Sequence, residues 1–498
     1  MARAHVYISL LALVACLTVS ACRRPSPGER PLEIVVPTEI LSLDPRFSTR
    51  GLDIKVTRLV HAGLMGLDPR TLEPQPLVAR SYRFLDDATL AIELKSGVRF
   101  HSGRPLEPRD VCETLSALAD PATQSPHRAV VRSIGACNVD GPAALTLRLA
   151  EPRATLLTDL EVPILRADQA RLGPRAGGEL DGLGPYRIAR AADAEVLLEP
   201  ADTGVLPRPR HAVVVRSVRD ENARALRLLA GRADIAPNAI SPALLPALDA
   251  RDDLAVHARL GANVTYLLLH NERSPFDRPE VRRAISHAID RELLVRTLLA
   301  GRGQVASTIF PEGHWAHGAG LTPEPFDPQA ARRTLAGLQP VTLYTSTDRA
   351  RLVIARSIAQ MLGDTGLRVR VVSLDLGALL ARLDSGDFLM ATLQMPELTE
   401  PNLLKWFFHP RGVPGEGGEG KNRARYRSPE AGPLLDEASR VRDLGRRREL
   451  YRSFARLLAR DMPVVPLWHE DQVAVVSRRA SGFELSAEGR WLDVSRLP

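Results

Sequence analysis

The sequence is poor in aromatic residues and in lysine. Aromatic side chains make up 4% of its 498 residues, and no basic segment contains interleaved aromatics, so nothing in the sequence indicates nucleic-acid binding. Lysine occurs only at Lys55, Lys95, Lys405 and Lys421, so arginine supplies nearly all of the positive charge behind the net charge of +7. Arginine and acidic residues are interspersed along the chain, which predicts a solvated surface with many ion pairs.

The sequence also lacks the motifs that carry metal binding or catalysis. It contains no CxxC or HExxH spacing, and His314 and His317 lie between glycines that disfavour the helix on which they could share a metal. The absence of a GxSxG motif removes support for a serine hydrolase of that type. We therefore expect no metal site, no cofactor and no enzymatic activity.

The long apolar run of the sequence lies at its N-terminus. A short basic segment precedes about 16 mostly apolar residues, which is the layout of a secretory signal peptide and is too short for a membrane span. The run ends in Val19-Ser20-Ala21-Cys22, which resembles the lipobox of bacterial lipoproteins. We expect a signal peptide over 1–21, lipidation of Cys22 and a lipid-anchored tether over 22–31, which would hold the protein on a membrane face in the cell envelope or periplasm. The alternative is a signal peptide with incidental cysteines.

Two cysteines remain beyond this leader, Cys112 and Cys137. An exported protein meets an oxidising compartment, in which free thiols tend to pair. The segment between the two residues is short enough to close easily, so we expect a disulfide. The alternative is a pair of separate buried thiols.

Apolar patterning predicts strands and helices that alternate over most of the chain. The predicted strands are at 32–36, 81–84, 90–94, 145–149, 213–218, 265–271, 341–344, 367–372 and 464–467, and the predicted helices at 54–64, 108–118, 223–230, 279–288, 291–299, 350–362 and 433–459. Such alternation favours an α/β architecture. The length of the chain is enough for two to four domains.

The stretch LKSGVRFHSGRPLEPRDVCETL, residues 94–115, crowds a histidine, hydroxyls and carboxylates together. It closely resembles the signature of the family-5 extracellular solute-binding proteins, the peptide- and nickel-binding receptors of ABC importers. The matching residues are Leu94, Gly97, Val98, Phe100, His101, Gly103, Leu106, Asp110 and Val111. Further segments that resemble the family are 38–45, 63–65, 77–82, 182–186, 228–235, 271–290, 446–451 and 461–467, so the resemblance covers nearly the whole chain after the leader.

The resemblance implies an α/β fold of the periplasmic-binding-protein type, class II, whose two lobes close on ligand like a hinged clamp. One lobe carries an inserted extra domain. The expected bounds are 30–48, 181–262 and 470–498 for lobe I, 49–180 for the extra domain and 263–469 for lobe II. Residues 94–115 fall in the extra domain, outside the expected cleft, where their polar groups would turn the chain and cap a helix.

The resemblance also implies candidate ligand-binding residues. Peptide-binding members use an Asp four residues before a Pro in the second lobe to pair with the peptide's amine, and a Trp lies three residues before that Asp. Glu397 falls at the acidic position here and Gln394 at the Trp position. Thr38 and Glu39 resemble residues that border the pocket, and Tyr266 and Asn271 are weaker candidates near the lobe crossing. The alternative for Glu397 is a solvated loop acid.

The expected function is therefore that of a membrane-anchored receptor which delivers peptides, or similar amino-bearing solutes, to an ABC permease in the inner membrane. We expect a monomer that binds no nucleic acid. The alternatives are a receptor for nickel or a metal chelate and, in a different class, an exported hydrolase with the same architecture.

Overall fold

A computed structural model of the chain describes residues 30–175, 178–192, 194–318, 320–415 and 420–498. The expected signal peptide, Cys22 and most of the tether lie outside the described residues. Within the described ranges, every helix is too short or too polar to cross a lipid bilayer.

Strands and helices alternate along the described chain, which fits the predicted α/β class. The strands are β1 Leu32–Val36, β2 Met65–Leu67, β3 Pro74–Pro76, β4 Ala79–Asp86, β5 Thr89–Leu94, β6 Ile134–Val139, β7 Ala144–Leu149, β8 Tyr186–Ala192, β9 Glu195–Pro200, β10 Val213–Ser217, β11 Ile235–Pro237, β12 Leu254–Leu260, β13 Val264–Leu269, β14 Gly303–Val305, β15 Val341–Ser346, β16 Val369–Leu374, β17 Met390–Met395 and β18 Val464–Ser477. The α-helices are Gly51–Val60, Pro108–Ala119, Arg128–Val131, Leu156–Asp159, Glu221–Leu229, Leu245–Asp249, Pro279–His287, Arg291–Leu298, Pro328–Leu335, Arg349–Asp364, Leu376–Ser385, Leu403–Phe408, Ala431–Ala438 and Leu444–Asp461.

One strand connects the two halves of the largest sheet. In the described part of the chain this sheet has twelve strands, ten of them in the order β16-β15-β17-β13-β18-β11-β1-β10-β9-β8, while β12 and β14 also pair with β18. The first part of β18 pairs with β13, and its second part pairs with β12 and β11. The chain therefore crosses between the halves twice, once at 260–264 and once within β18.

The central strand β13 shows why its half of the sheet is stable. All six of its residues are buried. Val264, Tyr266 and Leu268 pack in one apolar core, and Leu267 and Leu269 pack in a second core on the opposite face. Successive side chains of a strand point to opposite faces, so a strand that is buried on both faces serves both cores. Each such side chain contributes roughly 1.5–3 kcal/mol on burial.

The stretch 94–115 connects a separate four-stranded sheet, ordered β4-β5-β7-β6, to the helix Pro108–Ala119. Gly97 and Gly103 take positive φ angles of 76° and 86° at its turns, where side chains are disfavoured. The buried Asp110 carboxylate accepts a hydrogen bond from the Glu107 backbone N–H at 2.9 Å and pairs with Arg104 at 2.8 Å. These polar groups therefore turn the chain and start the helix, as predicted. The helix is linked to β6 by a disulfide between Cys112 and Cys137.

The helix Gly51–Val60 is held by close packing against a glycine-rich segment. A Cβ on Gly184 would lie 2.5 Å from the Leu59 carbonyl oxygen, and one on Gly182 would lie 2.1 Å from that of Val60. Both positions therefore need glycine. Val56, Leu59 and Val60 pack on the core beneath β1 and β10, which fixes the helix relative to the first half of the sheet.

Candidate functional site

Four distant segments of the chain meet beside the crossing between the two halves of the sheet. The Leu398 N–H, in the loop after β17, donates to the Ala262 carbonyl at 2.7 Å. The Ala262 N–H donates to Ala487 at 2.7 Å, and the Ala487 N–H donates to Pro69 at 2.9 Å. Ala262 and Ala487 also pack with Leu72 in a small buried cluster. The backbone therefore brings the loop that carries Glu397 against three segments of the other half.

Glu397 lies over the first residue of the helix Gly51–Val60. Its side chain is exposed, and its Oε1 atom is 3.6 Å from the position that a Cβ on Gly51 would take. Arg50, the residue before the helix, makes no side-chain hydrogen bond that would cap it. Unpaired backbone N–H groups at a helix start favour a nearby negative charge, which fits an acidic side chain at this position.

Lys55 lies one helical turn after Gly51 and extends toward the C-terminal segment. Its Nζ atom is 3.2 Å from the position of a Cβ on Gly489. Burial lowers the pKa of the Lys55 ammonium, while the carboxylates of Glu397 and Glu488 oppose that shift. No hydrogen bond or ion pair joins Nζ to another residue in the described part of the chain. Lys55 is thus a partly desolvated cation between two carboxylates that do not contact it.

A half-buried ion network forms the wall next to Lys55. Arg490 donates to both carboxylate oxygens of Glu161, at 2.5 and 3.1 Å, and its Nε is 2.7 Å from Glu488. Arg58 contacts Glu161 at 3.1 Å. Burial opposes ionisation of Glu161, but Arg490 and Arg58 outweigh it and hold the pKa of that carboxyl below its usual value. The network fixes the C-terminal segment against residues of the expected extra domain.

A cavity of about 480 Å³ lies between this helix, the β2–β3 pair and the C-terminal segment 484–496. Its size is within the range of about 300–1,000 Å³ that small-molecule pockets occupy. Lys55, Arg58, Glu161 and Arg490 line it. His61 also lines it, and burial lowers the pKa of that imidazole to about 3, so this side chain is neutral at physiological pH. The cavity is therefore bordered by fixed charges on one side.

Two of the candidates from the resemblance lie on the loop and strand that lead to this region. Gln394 is half-buried near the end of β17, where it pairs in register with Thr265, and Glu397 follows three residues later. Tyr266 is on the adjacent strand but is 4% exposed and packs in the core. Burial raises the pKa of its hydroxyl. Its ring is part of the core. None of Gln394, Glu397 and Tyr266 is among the described residues that line the cavity.

The structure places the other candidates elsewhere. β13 and β17 are antiparallel, so Asn271 lies beyond the end of β13 that is opposite to Glu397. Its amide donates to the carbonyls of Leu269 and Pro463 at 2.8 and 2.9 Å, which fixes the end of the strand. Glu39 pairs with Arg219 at the surface, at 2.7 Å, and Thr38 is exposed. Neither residue lines the cavity.

Several residues of this region were not identified from the sequence. The fold alone brings together Arg490, Glu161 and Arg58. Arg490 is hundreds of positions from the other two, and Arg58 and Glu161 lie in different elements. Lys55 carries one available signal, because lysine is so rare in this chain. Among the described residues, no group of three or more His, Cys, Asp or Glu side chains is placed to hold a metal ion.

Comparisons with known proteins support the fold. The sequence profile described as bacterial extracellular solute-binding proteins, family 5 Middle, matches residues 73–414. The glutathione-binding protein GsiB of Escherichia coli (strain K12) is 25% identical over 507 residues, which cover 97% of each chain. The periplasmic binding protein DppA of Helicobacter pylori, solved with the peptide STSA, has a TM-score of 0.73 and 22% identity over 94% of this chain and 97% of its own. NikZ of Campylobacter jejuni, solved with Ni(L-His), has a TM-score of 0.75 and 20% identity over 93% of this chain and 98% of its own. These superpositions confirm the predicted two-lobed α/β fold.

Proposed function

The chain belongs to the bacterial extracellular solute-binding proteins of family 5, and from this premise we propose that it is the receptor that captures a solute for a membrane permease of the ABC type. One observation supports this most directly. Glu397, on the loop after β17, faces Gly51 and Lys55 of the other half across the meeting point of the two lobes. A solute bound there would contact both lobes at once.

Binding would then act through lobe closure. A ligand that contacts both lobes only when they are closed shifts the population toward the closed form. The two crossings, at 260–264 and within β18, are the segments about which the lobes would rotate. The Asn263 side chain donates to the Glu470 carbonyl at 2.7 Å and accepts from the Glu470 N–H at 2.8 Å, which ties the two crossings together.

We propose the lobes and the extra domain with the bounds given by the resemblance. Lobe I takes 30–48, 181–262 and 470–498, the extra domain 49–180 and lobe II 263–469. The packing of the helix Gly51–Val60 on the core beneath β1 favours one adjustment, in which this helix moves with lobe I.

The proposed solute is a peptide or a similar amino-bearing compound. An anionic Glu397 could bind an ammonium group with charge-assisted hydrogen bonds. The similarity to a glutathione-binding protein and to a peptide-binding DppA supports this class. The similarity to NikZ, which was solved with Ni(L-His), keeps a metal-chelate receptor as the second candidate.

The proposal extends to the location of the receptor. A lipid on Cys22 would hold a monomer at the membrane, next to its permease, in the periplasm or cell envelope. In the described chain, Arg30 pairs with Asp234 at 2.8 Å, so the contacts of the fold already start at the end of the expected tether. Replacement of Cys22 by Ala should release the protein from the membrane fraction. Retention of the variant there would contradict the lipid anchor.

Native mass spectrometry of the purified protein, followed by thermal unfolding with candidate solutes, tests the function. A receptor gains stability from its ligand by mass action and returns the ligand unchanged. A mass increment that matches an amino-bearing solute, together with a raised unfolding temperature, supports the proposal. An increment that contains a metal favours the chelate receptor, and the appearance of product supports the hydrolase.

A further inference from the structure

The proposed extra domain contacts lobe II directly at two places. One is the segment 154–159, which includes a short helix, and the other is the turn between β4 and β5 with the strand residue close to it. We call these contacts the clasp. Its residues are Phe84, Asp87, Ala154 and Thr158 of the extra domain and Glu400, Ser439, Arg442 and Arg447 of lobe II. None of the eight belongs to the crossings at 260–264 and within β18.

An ion pair within lobe II is the base of the first contact. Arg447 is 3% exposed and pairs with Glu400 at 2.5 Å. The Thr158 hydroxyl donates to the other oxygen of that carboxylate at 3.0 Å, and Arg447 donates to the Ala154 carbonyl at 3.3 Å. The Ala154 N–H donates to the Ser439 carbonyl at 3.3 Å. Because hydrogen bonds to charged groups are stronger than those between neutral groups, the ion pair favours contact with the extra domain.

Arg442 makes the second contact. Its guanidinium lies 4.3 Å from the centre of the Phe84 ring and also pairs with Asp87. The Asp87 side chain is 84% exposed, so this ion pair adds little by itself. The Arg442 side chain is only 20% exposed, so its contact with the ring is mostly shielded from water and is the stronger of the two. Both contacts join lobe II to the extra domain.

The extra domain is fixed to lobe I and would move with that lobe. The pair between Arg490 and Glu161 joins the two. The buried Arg46 of lobe I donates to the carbonyls of Ala170 and Leu172 in the extra domain, at 3.2 and 2.5 Å. Rotation of lobe II about the crossings would therefore break the clasp, and closure of the lobes would form it.

We propose that the clasp holds part of the unliganded receptor in the closed form, so that the extra domain sets how tightly the receptor binds every solute. The inference goes beyond the proposed function and rests on its lobe closure. The apparent affinity for a solute scales with the fraction of the receptor that is in the competent form. The clasp residues would thus act on affinity as positioning residues, through closure.

Small-angle X-ray scattering of the unliganded protein tests the inference. The protein is first unfolded in urea, dialysed and refolded, which removes any solute that purified with it. We expect a variant with both Thr158→Val and Arg442→Gln to have a larger radius of gyration than the wild type, because fewer molecules are closed. The ratio of closed to open molecules should fall by roughly threefold or more, as the loss of one hydrogen bond and one cation–π contact predicts.

Arg446→Gln is the matched control. It also removes one arginine charge, but Arg446 pairs with Glu437 and Glu449 inside lobe II. Its radius of gyration should equal that of the wild type. The unfolding temperature shows whether each variant is folded, and Arg442→Gln alone gives the same test if the combined variant does not fold.

Two results would overturn the inference. Equal radii of gyration for the wild type and the combined variant would show that the clasp does not hold the receptor closed. That result would leave the receptor function intact, because solute binding tests it separately. A lower unfolding temperature of the variant without a change in its radius would show that the clasp only stabilises the packing of the extra domain.

Discussion

Glu397 is the single residue on which the proposed recognition of an amine depends. We expect Glu397→Gln to weaken the binding of alanyl-alanine by more than tenfold, because a ligand ammonium buried by lobe closure would lose its charged partner. N-acetyl-alanyl-alanine, which has no ammonium group, should bind both proteins equally. Glu437→Gln is a suitable control, since Glu437 is an exposed lobe II acid that pairs with Arg446. An unchanged affinity for alanyl-alanine would remove Glu397 from the site.

Gly261 allows the first crossing between the lobes. A Cβ at this position would lie 2.3 Å from the Asn263 side-chain nitrogen and 2.4 Å from the Glu470 carbonyl oxygen. Gly261→Ala should therefore break the tie between the crossings and lower the free energy of unfolding by roughly 1–3 kcal/mol, as overpacking does. Urea denaturation of the wild type and the variant measures this difference in the free energy of unfolding. Gly141→Ala, with no atom within 4 Å, should change little, and equal effects of the two substitutions would contradict the reasoning.

Residues could be predicted from the sequence where their role is local or where the resemblance supplies it. Gly97, Gly103 and Asp110 act on their own turns and helix, so their pattern was sufficient. The position of Glu397 came from the spacing of a family motif, and its role in binding stays a prediction. Arg490 and Glu161 could not be found, because their pairing depends on how the extra domain meets the C-terminal segment. The sequence around Tyr266 is as apolar as that of any buried strand, so it does not distinguish a ligand-binding tyrosine from one that packs in the core.

At the scale of elements, local apolar patterning predicted the bounds of some strands and helices well. It did not predict that a strand continues through polar residues. β1 has the predicted bounds, and the helix Pro108–Ala119 is one residue longer than expected. The expected strand 464–467 instead continues to Ser477. The polar run Glu470-Asp471-Gln472 hides this continuation, because at the crossing between the lobes polar side chains have partners across the strands. The expected helix 433–459 is two helices, since Asp443 caps a new one.

The disulfide connects two elements of the extra domain, the helix Pro108–Ala119 and β6. It spans 25 residues of sequence, and closure of such a loop stabilises by about 3 kcal/mol through the restricted unfolded chain. We expect reductant to lower the unfolding temperature of the wild type. A protein in which both Cys112 and Cys137 are replaced by Ala should unfold at that lower temperature with or without reductant. A wild type that is insensitive to reductant would contradict this contribution.

At the scale of the whole molecule, the two-lobed fold followed from the resemblance, whereas the contacts between the parts did not. Thr158 of the expected extra domain donates to Glu400 of lobe II at 3.0 Å, and Arg447 contacts the same carboxylate at 2.5 Å. The Ala154 N–H donates to the Ser439 carbonyl at 3.3 Å. Such contacts depend on the relative placement of segments hundreds of residues apart, which apolar patterning does not encode.

Three buried histidines lie where these parts meet, and they predict how the molecule responds to acid. His61 lines the cavity, His314 precedes Trp315, whose N–H donates to Thr71, and His469 lies in β18 at the crossing. Burial lowers the pKa of His61 to about 3, that of His314 to about 3 and that of His469 to about 4. All three are therefore neutral in the folded protein at pH 5.

In the unfolded chain, each of these histidines binds a proton near the ordinary pKa of about 6.5, so protonation favours unfolding. Stability should be complete above pH 6.5 and should fall as the pH drops from 6.5 toward 4, by about 1.4 kcal/mol per pH unit for each histidine. Urea denaturation at pH 7 and pH 5 measures this slope.

His61→Leu removes one buried imidazole whose ring nitrogens have no hydrogen-bond partner among the described residues. The substitution should make the slope shallower by one proton's contribution. A substitution that only lowers stability would change the free energy of unfolding equally at pH 7 and at pH 5. Equal slopes for the two proteins would show that His61 is not a neutral buried group in the fold.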